Sequence, residues 1–109
     1  MNTAVIQGTD VTLRCGSNVN NSFIKWCGSY VVTSCNPSNF IYNGYTEISE
    51  REKFSVTKVN NATHVTRDLI ISSTELTDVP IYLCEEHIPR KEGVRDSSSA
   101  QVIVLGNYS

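Results

Sequence analysis

Residues 78–84 read DVPIYLC, and this stretch decides the fold of the chain. Successive side chains of an extended strand point to opposite faces, so Tyr82 and Cys84 share one face of a strand here. A second cysteine, Cys15, lies far upstream, and the only tryptophan, Trp26, lies between the two cysteines. The order of these residues predicts a strand that contributes a tyrosine and a cysteine to a core containing tryptophan.

The composition is that of one ordinary globular domain. The chain has 109 residues, of which 39% are hydrophobic and 18% charged, so it can bury one core and is not a disordered segment. A formal net charge of −2 gives no reason to expect a nucleic acid or an anionic membrane as partner. The residues after Met1 do not form a signal peptide, and no apolar run approaches the roughly 18 residues that span a bilayer. We therefore expect a single domain, residues 1–109, excised from a longer ectodomain.

Cysteines and glycosylation triplets indicate an oxidising compartment. Four cysteines allow three disulfide connectivities, and their number alone does not choose among them. Asn-X-Ser/Thr acceptor triplets occur at Asn20, Asn61 and Asn107. One such triplet is weak support, because it arises by chance in a chain rich in Asn, Ser and Thr. Together with the cysteines, the three triplets favour secretion or display at the cell surface.

Alternation with a period of two runs through most of the chain, and no helix-period segment exceeds one turn. About nine short runs, rich in β-branched and aromatic residues, have the length of strands. They are separated by turn-forming stretches, of which residues 36–39 and 43–44 are the clearest. The predicted strands cover residues 5–6, 11–15, 23–27, 31–33, 40–42, 54–57, 66–71, 81–86 and 100–105, and residues 90–99 are predicted to form a polar loop.

These residues resemble the variable-type immunoglobulin superfamily over essentially the whole chain. The resemblance is carried by residues 11–15 (VTLRC), 25–27 (KWC) and 78–84. The pair Trp26 and Cys27, together with Cys35, is similar to the polymeric immunoglobulin receptor and related myeloid receptors. Pro80 replaces the usual glycine of the Asp-x-Gly-x-Tyr-x-Cys motif, and no Phe-Gly-x-Gly joining motif occurs, which argues against an antibody or T-cell-receptor domain. The divergence favours an invertebrate receptor, for example one similar to the cnidarian allorecognition receptors.

The resemblance implies an all-β fold, an immunoglobulin-like V-set β-sandwich of about nine strands in two antiparallel sheets. In such a sandwich Cys15 pairs with Cys84 between the sheets, and the tyrosine before the second cysteine bonds upstream backbone through its hydroxyl. A lysine–aspartate pair closes one end of the sandwich. The core and supporting residues implied in this way are Trp26, Tyr82, Leu13, Asp78 and Lys53.

The second pair of cysteines is expected on the outside of the sandwich. Because Trp26 faces the core, Cys27 faces outward, and Cys35 comes within reach if the chain turns back after Gly28. Such a bridge is a local clamp that stiffens one surface and contributes about 2–2.5 kcal/mol. A zinc site is the alternative, but Cys-x7-Cys has no third or fourth ligand near it in the sequence.

The expected clamp lies on the surface that variable-type domains commonly use for binding. The loop of residues 88–96 is a second possible contact, because binding residues concentrate on loops held by a rigid scaffold. Aromatic residues around positions 40–45 are suited to anchor an interface, but they could equally fill the core. The candidate contacts are Lys25, Tyr30, Phe40, Tyr42, Glu85, Arg90, Lys91 and Arg95.

The sequence favours recognition over catalysis. It contains no nucleophile elbow, phosphate loop or zinc-protease helix, and we expect no catalytic residue, metal or cofactor. We expect an ectodomain fragment of a type I membrane protein that binds a protein on an apposed cell, and a near-neutral charge is compatible with binding to itself. The alternatives are an immune or transport receptor domain that takes a soluble or lipid ligand through residues 88–96, and a passive spacer.

Overall fold

A computed structural model describes residues 2–19, 21–32, 34–46 and 53–106 of the chain. Within these ranges the regular structure consists of strands alone, which confirms the predicted all-β class. The strands are β1 (Asn2–Ile6), β2 (Val11–Leu13), β3 (Gly16–Ser17), β4 (Phe23–Ser29), β5 (Phe40–Tyr42), β6 (Phe54–Asn60), β7 (Val65–Ile71), β8 (Ile81–His87) and β9 (Asp96–Leu105).

The strands form two sheets, as predicted. A five-stranded sheet has the order β1-β9-β8-β4-β5, and the second sheet is built around β7, which pairs with β6 along one edge and with β2 and β3 along the other. The expectation of purely antiparallel pairing is wrong at one edge, because β1 runs parallel to β9 from Asn2 opposite Gln101 to Ile6 opposite Leu105. Both strands end at the same place, and the turn at Gly8, with φ of 91°, carries the chain across to β2 in the other sheet.

Several predicted strands differ from the observed ones at their ends, and three further differences have a clear physical cause. Val31 and Val32 lie in a loop and are 65% and 77% exposed, because this loop is drawn towards β4 by a disulfide rather than paired with another strand; Thr33 lies outside the described residues. The predicted strand over 11–15 breaks after Leu13, where Cys15 N donates to the Asp68 side chain. The predicted loop over 90–99 is wrong in its second half, since β9 begins at Asp96. Residues 96–99 are exposed, because β1 pairs only with residues 101–105 of β9, and polar side chains suit an exposed strand.

The core between the sheets is centred on Trp26, which is 2% exposed. The indole Nε1 donates to the Arg67 carbonyl oxygen on β7 at 2.7 Å, so the polar atom of this ring is satisfied by the opposite sheet. Leu13 and Leu69 are buried beside it. The Cys15–Cys84 disulfide joins the two sheets across a separation of 69 residues, and closing a loop of that length stabilises the fold by about 4 kcal/mol.

Tyr82 and the Lys53–Asp78 pair lie towards the end of the sandwich where β8 begins. Lys53 Nζ lies 2.8 Å from Asp78 Oδ2, and the Tyr82 ring packs edge-on against Phe54 at 6.3 Å between centroids. The expected bond from the Tyr82 hydroxyl to upstream backbone is not present among the described residues. Tyr30 instead donates its hydroxyl to a carbonyl oxygen of that upstream segment, at Thr77.

The environment of Tyr82 produces a dependence of stability on alkaline pH. Burial raises the pKa of the Tyr82 hydroxyl well above its ordinary value near 10, and the charge of Asp78 and then Tyr30 add to the increase. The folded state therefore keeps this proton to higher pH than the unfolded state does. The resulting contribution to stability is complete below about pH 10 and is lost as the pH rises towards the folded pKa.

We predict that the free energy of unfolding of the native chain falls more steeply between pH 9 and 11 than that of Tyr82→Phe, which has no such proton. Tyr45→Phe is the matched control, because Tyr45 is 73% exposed, and its profile should follow the native one. Urea denaturation at a series of pH values measures the difference. Parallel profiles for the native chain and Tyr82→Phe would contradict the assignment.

Candidate functional site

The side chains of the five-stranded sheet that point away from the core form its outer face. Directly opposed residues point to the same side of a sheet, and the register therefore defines this face row by row. Three of its rows run from β4 towards β9: Phe23 and His87 in one, Lys25, Glu85 and Ser97 in the next, and Cys27, Leu83 and Ser99 in the third, with Phe40 of β5 beside Cys27. The face continues past these rows to Ile81 of β8 and to Ile103 and Leu105 of β9, beside β1.

A β-bulge between β4 and β5 sorts the aromatic residues of β5. Trp26 opposes Tyr42 and Cys27 opposes Phe40, so Ile41 is the extra residue between these two pairs. Phe40 consequently shares the outer face with Cys27, whereas Tyr42 turns to the core with Trp26 and is 1% exposed. The prediction that Tyr42 contacts a partner is therefore wrong. The sequence left open whether the aromatic residues around positions 40–45 anchor an interface or fill the core, and Tyr42 fills the core.

The Cys27–Cys35 disulfide fastens the loop between β4 and β5 onto the outer face. The two Cα atoms are 5.6 Å apart, and Cys27 is 1% exposed beneath the loop. The Cys35 backbone N–H donates to Glu85 Oε2 at 3.0 Å, which adds a second attachment next to the disulfide. Glu85 is only 4% exposed as a result, so the prediction that its carboxylate meets a partner is wrong.

Glu85 and Lys25 oppose each other across β4 and β8, but they have different partners. The other carboxylate oxygen, Glu85 Oε1, lies 3.1 Å from His87 Nε2. Lys25 Nζ lies over two aromatic rings, 5.8 Å from the Phe23 centroid and 5.4 Å from the Phe40 centroid. Contacts of this kind between a cation and ring faces hold the lysine side chain in place at the centre of the outer face.

A column of stacked rings lies next to Lys25. Phe23 stacks on His87 at 5.2 Å and on Tyr45 at 5.7 Å between centroids. The turn that carries Tyr45 approaches closely at Gly44, which has φ of 102°, and a Cβ there would lie 2.8 Å from Phe23 Cδ2. Phe23 and His87 are absent from the predicted contacts, although alternation from Lys25 and Glu85 places them on the same face.

The predicted contacts outside this face are dispersed. Arg90 and Lys91 are exposed in the loop between β8 and β9, where Arg90 has φ of 66°. Arg95 forms an ion pair with the buried Glu86 and so supports the loop from within. Tyr30 is 68% exposed but lies at the opposite end of β4, by Thr77.

One of the three glycosylation triplets can be located in the structure. Asn61 is exposed in the turn between β6 and β7, where its side-chain oxygen accepts hydrogen bonds from the backbone of Thr63 and His64. Asn20 and Asn107 lie outside the described residues. Within the described ranges, no group of three or more His, Cys, Asp or Glu side chains is placed to hold a metal ion.

Comparisons with known proteins establish the fold. No family model and no curated protein matches the sequence. In structure, the chain is similar to one from a study of multimeric cell-adhesive interactions of VGSC beta subunits, with a TM-score of 0.70 and 14% identity over 96% of this chain and 91% of that one. The RIG-5 IG1 homodimer gives a TM-score of 0.71 at 14% identity over 94% and 88%, and the NK cell receptor Nkp44 gives 0.67 at 14% over 96% and 99%. The chain has the immunoglobulin-like fold of these proteins.

We predict that Glu85→Ala lowers the free energy of unfolding by about 1–3 kcal/mol, because it removes the acceptor of the partly buried Cys35 N–H. Hydrogen exchange at the Cys35 amide should become faster in the same variant. Glu75→Ala, at an exposed position, is the matched control and should change stability by less than about 0.5 kcal/mol. Equal effects of the two substitutions on stability and on exchange would show that Glu85 does not hold the loop.

Proposed function

We propose that the chain is an extracellular recognition module that binds a protein through its outer face, and that the protein is a second copy of this chain on an apposed cell. The observation that carries the proposal is the composition of that face. It presents the rings of Phe23 and Phe40 and the apolar side chain of Leu83, on a surface stiffened by the Cys27–Cys35 disulfide. Aromatic residues are enriched at the centres of protein interfaces.

The distribution of charge supports self-association. Glu85 is buried beneath the loop. Among the described strand residues of the outer face, Lys25 is therefore the one accessible side chain that carries an ammonium or carboxylate charge. Two copies of such a face meet without the repulsion that a large patch of one sign would cause. The similar structures support the same reading, since one concerns cell-adhesive interactions and another is a homodimer.

The covalent features support a position at the cell surface. Two disulfides are typical of proteins that fold in an oxidising compartment. A glycan on Asn61 would belong to the turn between β6 and β7 in the other sheet, and would leave the outer face open. The part of the chain that the structure describes contains no helix that could span a membrane.

The finer classification is also a proposal. We assign the chain to the variable type because β5 extends the five-stranded sheet beyond β4, as the additional strands of variable-type domains do. The resemblance to cnidarian allorecognition receptors stays a prediction from the sequence.

Binding of a soluble or lipid ligand through residues 88–96 is the second candidate function. A cleft of about 410 Å³ lies between this loop and Val19, and Arg90 and Lys91 are exposed there. Arg95 is already paired with Glu86, so only two of the three predicted cations face a ligand freely.

A glycan placed on the outer face separates the two candidates. Ser97→Asn creates an Asn-Ser-Ser acceptor on that face, and Ser55→Asn creates the matched Asn-Val-Thr acceptor on β6 of the other sheet; both serines are exposed. We predict that beads coated with the native domain or with glycosylated Ser55→Asn aggregate, whereas beads with glycosylated Ser97→Asn stay dispersed. Microscopy measures aggregation, and mass spectrometry establishes that each glycan is attached.

Two results would count against the proposed function. Aggregation of glycosylated Ser97→Asn beads at the native level would exclude the outer face as the contact. Dispersed native beads would exclude binding between copies, and ligand capture that survives the glycan at position 97 would favour the loop of residues 88–96.

A further inference from the structure

Lys25 is a fixed cation without a carboxylate partner among the described residues. Its neighbour across the sheet, Glu85, uses one carboxylate oxygen for the Cys35 N–H and the other for His87. The ammonium group lies over the rings of Phe23 and Phe40 instead. Because ring contacts already hold the side chain, little further rotamer freedom is lost when a partner binds it.

A protein that covers the outer face must compensate the charge of the Lys25 ammonium group. Docking removes the Lys25 ammonium from water, and an ammonium group buried without a counter-charge carries a large desolvation penalty. Rings contribute only part of the compensation. Of the groups that a partner can offer, a carboxylate placed against Lys25 compensates this penalty best, and such a pair favours one alignment of the two surfaces.

If the partner is a second copy, the carboxylate belongs to this chain. Glu47, Glu50 and Glu52 lie outside the described residues, and most of the described acidic side chains already have a partner or face away from the outer face. Asp78 and Glu86 pair with Lys53 and Arg95. Asp68 accepts the Cys15 N–H on the other sheet, Asp10 accepts the Ser73 N–H, and Asp96 opposes Glu86 on the inward side of the sheet. Glu75 and Glu92 are both exposed, at opposite ends of β8. Glu92 lies in the loop that begins after His87. His87 is two residues along β8 from Glu85, the residue opposite Lys25.

We propose that Lys25 of one copy pairs with Glu92 of the other in a two-fold symmetric dimer. A two-fold axis that brings Lys25 to Glu92 also brings Glu92 to Lys25, so the contact forms twice. This inference rests on the proposed function and specifies the partner's chemistry at the centre of the face.

Charge reversal tests the pair with matched variants. Lys25→Glu beads alone place two acids together at each contact, and Glu92→Lys beads alone place two bases together. A mixture of the two variants restores one acid and one base at both contacts. We predict that each variant alone is dispersed, with a dimer dissociation constant raised about tenfold or more, and that the mixture aggregates like the native domain. Glu75→Lys is the control at the other end of β8 and should aggregate normally.

The outcomes distinguish this inference from the proposed function. If native beads aggregate but the mixture of reversed variants does not, the Lys25–Glu92 pair is excluded and recognition between copies stands. Native-level aggregation of either variant alone also excludes the pair. If native beads stay dispersed, the proposed function fails and the inference fails with it. Melting temperatures close to the native value establish that the variants are folded.

Discussion

Trp26 and Cys27 are neighbours on β4, and their side chains leave the sheet in opposite directions. On the inner side the indole fills the core and donates a hydrogen bond to the Arg67 carbonyl of the other sheet. On the outer side the cysteine forms the disulfide that holds the loop between β4 and β5. Trp26 and Cys27 thus link the two sheets and also shape the exposed surface. The core packing and the outer face both depend on this pair.

The two disulfides have different consequences because they close loops of different length. Cys15 and Cys84 are separated by 69 residues and stabilise the whole domain by about 4 kcal/mol. Cys27 and Cys35 are separated by 8 residues, which corresponds to only about 2–2.5 kcal/mol. The second bridge has its main effect on the face, since it covers Glu85 and brings the Cys35 N–H to that carboxylate. Once Glu85 is committed in this way, Lys25 keeps its charge available for a partner.

Local alternation made much of this architecture predictable. Tyr82 and Cys84 on one side of a strand, and Trp26 facing away from Cys27, follow from the period of two along extended backbone. The features that could not be predicted depend on pairing between distant segments. The bulge at Ile41 turns Tyr42 into the core, and the pairing of Ser97 with β8 extends β9 into a stretch whose polar composition indicates a loop. Val31 is β-branched, as strand residues often are, but it lies in the loop between β4 and β5 that the Cys27–Cys35 disulfide holds.

The candidate face was predictable in position but not in its accessible residues. Glu85 is polar and lies on an outward position, so only the loop folded over it, which sequence does not reveal, explains its burial. Alternation along the sequence already places Phe23 on the face of Lys25 and His87 on the face of Glu85, but it does not indicate that the two rings stack. The stacking of Phe23 on Tyr45 depends on the close turn at Gly44, which brings together residues that are separated in the sequence.

The most direct test of the account is the disulfide map of the unreduced protein after digestion with trypsin. The sequence has no lysine or arginine between Trp26 and Arg51, so Cys27 and Cys35 fall in one peptide, while Cys15 and Cys84 fall in two others. The account predicts that residues 15–25 are linked to residues 68–90, and that residues 26–51 form an unlinked peptide lighter by its thiol hydrogens. A link from residues 15–25 to residues 26–51, or four free thiols, would contradict it.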